Sequence, residues 1–177
     1  MMLSKQKQQT AFEALSESQG YTNRMAAPRI MKVIVSSGVG KKRDKNQLAL
    51  VEDRLTRITG QKPSARPAKA SIAQFKMREG DIVGFQVTMR GGRMYDFLDK
   101  LIHIALPRTR DFRGINTSAV DDMGNLTIGL RENTIFPETA DEDLKDVFGL
   151  AVTVVTTAKT KEEALAFFRH LGIPFQA

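Results

Sequence analysis

The sequence contains no cysteine, which excludes a disulfide framework, thiolate metal sites, a dithiol redox pair and a cysteine nucleophile, and fits a reducing compartment such as the cytoplasm. Histidine is almost as scarce. His103 and His170 are the only two, they fall in separate helical patterns with no second histidine at i+4, and a metal site would need carboxylates gathered from long range. Both read as structural residues. No Gly-x-Ser-x-Gly elbow occurs. The acidic groups Asp121/Asp122, Asp141/Glu142/Asp143 and Glu162/Glu163 sit at turns or helix starts, where solvent or the helix dipole accounts for them. No apolar run approaches the ~18 residues of a membrane span, and the polar stretch Met1 to Thr10 has no signal-peptide core. The expectation is therefore a protein without catalysis, cofactor, metal or membrane partner.

What the chain has is positive charge. Lys and Arg number 27 against 20 Asp and Glu, a formal net charge of +7. The charge is segregated: residues 1 to 113 hold 22 of the basic and 10 of the acidic side chains, net +12, whereas residues 114 to 177 hold 5 and 10, net −5. Such asymmetry points to one face turned to a polyanion, nucleic acid above all, and another turned to water or to a basic protein neighbour. With 177 residues, 41% of them hydrophobic and 27% charged, the chain has the composition of a single globular domain spanning 1 to 177. A chain of this length buries roughly 70% of its unfolded surface. It shows neither an internal repeat nor a low-complexity segment.

Patterning predicts the elements. Lys5 to Glu17 reads as a terminal helix with scattered apolar residues that needs tertiary docking. Ile30 to Ser36 is a β-branched run closed by the glycine turn Ser37-Gly38-Val39-Gly40. Leu48, Val51, Leu55 and Ile58 mark an amphipathic helix that Gly60 ends, after which Pro63 and Pro67 impose an extended connection. Ser71 to Arg78 and Asp81 to Arg90, parted by Glu79-Gly80, read as a β-hairpin. In its second arm Val83, Phe85, Val87 and Met89 alternate with residues that leave Gln86, Thr88 and Arg90 on the opposite, polar face. Met94 to Ala105 is a strongly amphipathic helix stopped by Pro107. A turn at Asp121 to Asn125, strands at Leu126 to Leu130 and Ala151 to Thr157, and a helix opening on the capping-box pair Thr160 and Glu163 complete the chain. The mixture without strict alternation predicts an α+β fold: an antiparallel sheet with helices packed on one face and protruding basic loops.

The glycine turn between strand and helix has the setting of a phosphate loop but not its spacing. A Walker loop needs glycine where Val35 stands and Ser or Thr where Lys42 stands, and a dinucleotide loop needs a third glycine where Arg43 stands. Lys41, Lys42, Arg43, Lys45, Lys62, Arg66, Lys69, Lys76 and Arg78 instead gather at the ends of the sheet elements, as contacts to a phosphate backbone would. Side chains read A-form grooves poorly, so discrimination falls to Gln61 (amide), Thr88 (hydroxyl) and Phe75 (stacking). Phe75 also reads as an ordinary core aromatic of a strand.

Several blocks, in order, resemble one family. Ile58-Thr59-Gly60-Gln61-Lys62-Pro63 and Ala68 through Gly80 are similar to the signature of the bacterial-type large-subunit ribosomal protein of the L-five family. Val87-Thr88-Met89-Arg90-Gly91, Arg93 through Leu98, Ala105 through Gly114, Phe136-Pro137-Glu138 and Thr156 through Thr160 resemble its later blocks, so the likeness covers nearly the whole chain. The resemblance implies a cytoplasmic, 5S rRNA-binding constituent of the central protuberance. Its implied partners are 23S rRNA, neighbouring central-protuberance proteins, the elbow of the P-site tRNA, and a small-subunit head protein across an intersubunit bridge. By motif, the 5S contacts fall on the glycine turn with Ser36 and Gly38, and on Gln61, Phe75 and Thr88; the tRNA-facing loop is Arg66 to Lys76. Together with the cations and Arg90 read from the chain itself, the candidate RNA-binding set is Ser36, Gly38, Lys41, Lys42, Arg43, Gln61, Lys62, Arg66, Lys69, Phe75, Lys76, Arg78, Thr88 and Arg90. Arg108, Arg110 and Arg113 read equally as 23S rRNA anchors or as solvated charge. The chain departs from the family at Ser36, usually asparagine, and at Val120, Asp122, Met123 and Leu126, usually phenylalanine, glycine, arginine and tyrosine. Asp122 would repel phosphate.

Overall fold

The structure, a computed structural model, describes residues 3–40, 44–140 and 147–176. Among these the α-helices are α1 (Leu3–Gln19), α2 (Lys45–Thr59), α3 (Gly92–Lys100) and α4 (Lys161–Leu171). The strands are β1 (Ile30–Gly38), β2 (Ser64–Pro67), β3 (Ile82–Met89), β4 (Leu126–Leu130) and β5 (Leu150–Thr156). The strands form one open antiparallel sheet in the order β2-β3-β1-β5-β4, so the fold is α+β as expected. The chain forms two compact units, one of Met1–Val33, Met89–Ile128 and Thr153–Ala177, the other of Ile34–Thr88 and Gly129–Val152.

In the first unit α1 packs against α3 and α4. α1 is polar along most of its length and buries little beyond Ala11, Leu15 and Ser4, so docking holds it, not propensity. Asp99 of α3 accepts from the backbone of its first turn, and Lys7 donates from Nζ to the Leu171 carbonyl at the end of α4, 3.0 Å away. α4 buries Ala164, Phe167, Phe168 and Leu171, the stripe its sequence spacing predicts. The Thr160 hydroxyl accepts from Glu163 N at 3.3 Å, and Glu163 Oε2 accepts from Lys159 N at 2.8 Å, which closes the capping box one residue early. The other Glu163 oxygen accepts from the Tyr21 hydroxyl. α3 runs on into a π-turn, Leu101–Ala105, closed by Leu106 N to Leu101 O at 2.9 Å. The wider turn lets Leu101, Ile102, Ala105 and Leu106 all reach the core before Pro107 stops the chain.

In the second unit α2 buries Val51, Leu55 and Ile58, and ends at Gly60, which takes φ 68° and returns its N–H to Thr56 O. Leu48, the first residue of the predicted stripe, is half-buried. The hairpin expectation needs correction. The partner of β3 is β2, not Ser71 to Arg78: Ser64 lies opposite Gln86, Ala65 opposite Phe85 and Arg66 opposite Gly84, with the register shifting before Pro67. The prolines that suggested a mere connection are tolerated because β2 is an edge strand, where a missing N–H breaks no ladder. Segment 69–80 is instead a closed loop of its own.

Candidate nucleic-acid interface

Strand alternation builds a two-sided sheet in the second unit. On β1 and just past its end, Val35, Ser37 and Val39 are buried while Ile34, Ser36 and Gly38 take the opposite face; on β3, Phe85 and Val87 are buried while Gln86 and Thr88 are half-buried on the other side. Ser37 donates from Oγ to the Gly149 carbonyl at 2.7 Å, which satisfies a hydroxyl on the core face and fixes the parity that turns Ser36 outward. A Cβ at Gly84 would lie 2.8 Å from the Ser37 carbonyl oxygen, so β1 and β3 approach as closely as they do because residue 84 has no side chain. Beside them β2 adds Ser64 across from Gln86 and Arg66 across from Gly84.

The polar groups on this face have unused hydrogen-bonding capacity. The side chains of Ser36, Ser64, Gln86 and Thr88, and that of half-buried Gln61 just past Gly60, make no hydrogen bond among the described residues. Hydroxyls on the core side are all engaged: Ser37 with Gly149 O, Thr59 with Leu55 O at 2.7 Å, Thr139 with Asn133 O at 2.6 Å. Amides and hydroxyls left without partners at a sheet face are what a surface needs to read another molecule's donors and acceptors.

The cations divide. Arg66 and Lys69 are exposed and meet no carboxylate among the described residues, whereas Lys62 lies 3.4 Å from Glu52 Oε1 in an exposed pair worth little to stability. Lys41, Lys42 and Arg43 lie outside the described residues. Lys45 opens α2, whose first turn contains no acid and whose N-cap Asp44 makes no side-chain bond. A cationic run leading into a helix N-terminus opposes the helix dipole. Arg90, two residues beyond Thr88 in the chain, is exposed and falls in the other unit.

Segment 69–80 is tied at its base and turned at its tip. Ala68 N bonds Asp81 O at 2.8 Å, Gly80 N bonds Ala68 O at 3.1 Å, Glu79 N bonds Ser71 Oγ, and Arg78 N bonds Asp81 Oδ2. Ile72 bridges Met77, and between them a 3-10 turn, Ala73–Phe75, ends at Lys76 with φ 51°. Phe75 is therefore neither a strand residue nor a core one: it stands 64% exposed, with exposed Ile72, Lys69, Lys76 and Arg78 around the same loop.

The described residues contain no cluster of three or more potential metal ligands. His170 is structural, its Nε2 2.8 Å from Lys7 O, while His103 is exposed on the π-turn. Arg108, Arg110 and Arg113 are exposed in a stretch anchored by Ile115 N to Pro174 O, 2.8 Å. The turn before β4 is drawn tight by Asp121, whose Oδ1 accepts from Asn125 N at 2.6 Å and Oδ2 from Asn125 Nδ2 at 3.0 Å. Partial burial acts to raise this carboxyl, and the hydrogen bonds from Asn125 and from the Met123 backbone outweigh it and hold it below its usual range. The position sequence reasoning missed is Ser64, hidden in a four-residue strand that follows one proline and ends on another.

An α+β sheet with one face of unsatisfied polar side chains is the build of a binding protein. Comparison with known proteins agrees. Residues 23–78 match the family model described as Ribosomal protein L5, and residues 82–175 match the model of the same ribosomal family's C-terminus. The chain is 50% identical over 166 residues to the large ribosomal subunit protein uL5 of Heliobacterium modesticaldum, covering 93% of this chain and 92% of that one. It is 48% identical over 164 residues to the protein of the same name from Anaeromyxobacter sp. (strain K), covering 92% and 91%, and 48% identical over 171 residues to that of Kocuria rhizophila, covering 96% and 90%. The chain belongs to the ribosomal protein L5 family, and is a structural, non-enzymatic protein.

Proposed function

We propose that this protein, a cytoplasmic structural constituent of the large ribosomal subunit, binds 5S rRNA in the central protuberance through the polar face of β2, β3 and β1. The observation that carries the reading is the group of unsatisfied side chains there, Ser36, Ser64, Gln86 and Thr88 with Gln61 nearby, beside the cations Arg66 and Lys69 that no described carboxylate neutralises. Arg66, Lys69 and the sequence run Lys41, Lys42, Arg43 supply sequence-independent affinity for phosphates; the amides and hydroxyls supply choice among RNAs. The loop carrying Phe75 contacts P-site tRNA, which its exposed aromatic and three cations support. Contacts to 23S rRNA, to neighbouring central-protuberance proteins and to a small-subunit head protein complete the reading. At the bridge, Asp122 and Met123 make the turn before β4 less basic than in the family pattern.

The test is a gel-shift panel with 5S rRNA, its isolated stem-loops and an unrelated RNA of equal length, run across salt concentrations. Alanine at Lys41, Lys42, Arg43 and Lys45 should flatten the dependence of log affinity on log salt by roughly 0.7 to 0.9 for each phosphate no longer neutralised. Alanine at Gln86 or Thr88 should leave the slope and reduce the preference for 5S rRNA. No preference among the RNAs, or a slope unmoved by the cationic substitutions, counts against the proposal.

A further inference from the structure

The first unit contains a cleft of about 190 Å³ between α1 and the segment that enters β1, lined by Gln8, Gln9, Phe12, Arg24, Met25, Ala27, Pro28 and Arg29. We infer that this cleft is a second RNA-binding site, which takes one unpaired nucleotide with its base on Phe12 and Met25 and its phosphate on Arg24 and Arg29.

The walls are prebuilt. Gln8 Oε1 accepts from Ile30 N at 3.0 Å, Arg29 N bonds Thr157 Oγ1 and Thr157 N bonds Arg29 O, both at 3.0 Å, and Asn23 Oδ1 caps the 3-10 turn by accepting from Met25 N at 2.9 Å. A ligand would therefore meet a floor that needs little ordering. Size fits a base: an apolar cavity of about 150 Å³ holds benzene, so this one has room for a six-membered ring. Met25 is 78% exposed at the rim, Phe12 and Pro28 supply apolar contact, and the Gln8 and Gln9 amides lie within the lining to meet base edges. Charge decides the class of ligand. Both arginines are exposed, and no carboxylate pairs with either among the described residues; the Arg24 guanidinium reaches the Gln9 carbonyl at 3.5 Å. A cleft with apolar contacts from Phe12, Met25 and Pro28, flanked by two guanidinium groups that no described carboxylate pairs with, suits a base and its phosphate.

The inference rests on the reading of the chain as an RNA-binding protein and adds a site in the other unit. It is tested on the full chain carrying carbon-13 methyl-labelled methionine, titrated with a single-stranded RNA hexamer of mixed sequence. The Met25 methyl should shift upfield and saturate while that of Met123 stays put. Arg24→Glu with Arg29→Glu, both exposed positions, should remove that shift and leave 5S rRNA binding by Gln86 and Thr88 intact. Phe12→Ala should weaken the hexamer about tenfold. Hexamer binding that saturates with Met25 unmoved overturns the site and spares the 5S reading. A Met25 response to an acidic peptide and none to RNA assigns the cleft to protein and likewise overturns it. Failure to bind either RNA sinks both.

Discussion

Ser4 and Asp99, 95 residues apart in the chain, are joined by hydrogen bonds from the Ser4 backbone N–H, 2.8 Å from Asp99 Oδ1, and from the Ser4 hydroxyl. The second carboxylate oxygen accepts from Leu3 N at 2.8 Å, so α3 supplies the N-terminal cap that α1 does not carry itself. Negative charge at this end also complements the helix dipole. Asp99→Ala should therefore cost about 1 to 2 kcal/mol, lowering the thermal midpoint by roughly 2 to 8 °C. Asp99→Asn keeps one acceptor and should cost less. Urea unfolding that leaves Asp99→Ala level with the parent would show that the cap contributes nothing.

Gly84 sets the spacing between β1 and β3. A methyl group there meets the Ser37 carbonyl oxygen at 2.8 Å, and a backbone oxygen cannot swing aside as a side chain would. Gly84→Ala should destabilise by about 1 to 3 kcal/mol, the usual range for overpacking. Because Ser36 and Gln86 flank this contact, the same substitution should weaken 5S rRNA binding even at temperatures where circular dichroism shows the chain folded. Ala65→Ser, on the edge strand, serves as the control and should change neither.

Much of this was legible in the sequence wherever the determinant is local. The 3-4-3 spacing of Leu48 to Ile58, the alternation in Val83 to Met89 and the Thr160–Glu163 pair each specify an element within a few residues. The same alternation placed Gln86 and Thr88 on the polar face. Illegible were the relationships set by chain return. β2 is four residues with no buried side chain, so periodicity has nothing to register, and its pairing depends on β3. Ile72 to Met77 has the composition of a strand, but the 3-10 turn and the left-handed Lys76 fold it on itself and expose Phe75. The cap from Asp99 has no signature near α1 at all.

Tyr21 should titrate late. Burial first, then the hydrogen bond it donates to Glu163 Oε1 and the negative charge of that carboxylate, raise its phenol well above the ordinary value of 10.0. A raised folded value means the fold favours the protonated phenol, so this contribution is complete below pH 10 and is lost as the pH climbs beyond it. Absorbance at 295 nm should show one of the two tyrosines ionising only as the protein unfolds in alkali. Tyr21→Phe should abolish that late step; if it instead removed a step near pH 10, the Glu163 contact would not persist in solution.

Position 36 offers the sharpest test of the sheet face. It is half-buried, points away from the Ser37 side of β1, and carries a hydroxyl with no partner among the described residues, where the family pattern has asparagine. Serine donates one hydrogen bond and accepts from a short arm; asparagine donates two from a longer one and accepts through its carbonyl. If this face meets RNA, Ser36→Asn should tighten 5S rRNA binding by about fivefold, the worth of one net hydrogen bond of ~1 kcal/mol, and Ser36→Ala should loosen it. Neither change alters the buried side of β1, so thermal stability should hold within ~0.5 kcal/mol, as for other surface substitutions. Equal affinities for all three variants in a filter-binding titration would remove residue 36 from the interface and leave Gln86, Thr88 and Ser64 to account for recognition.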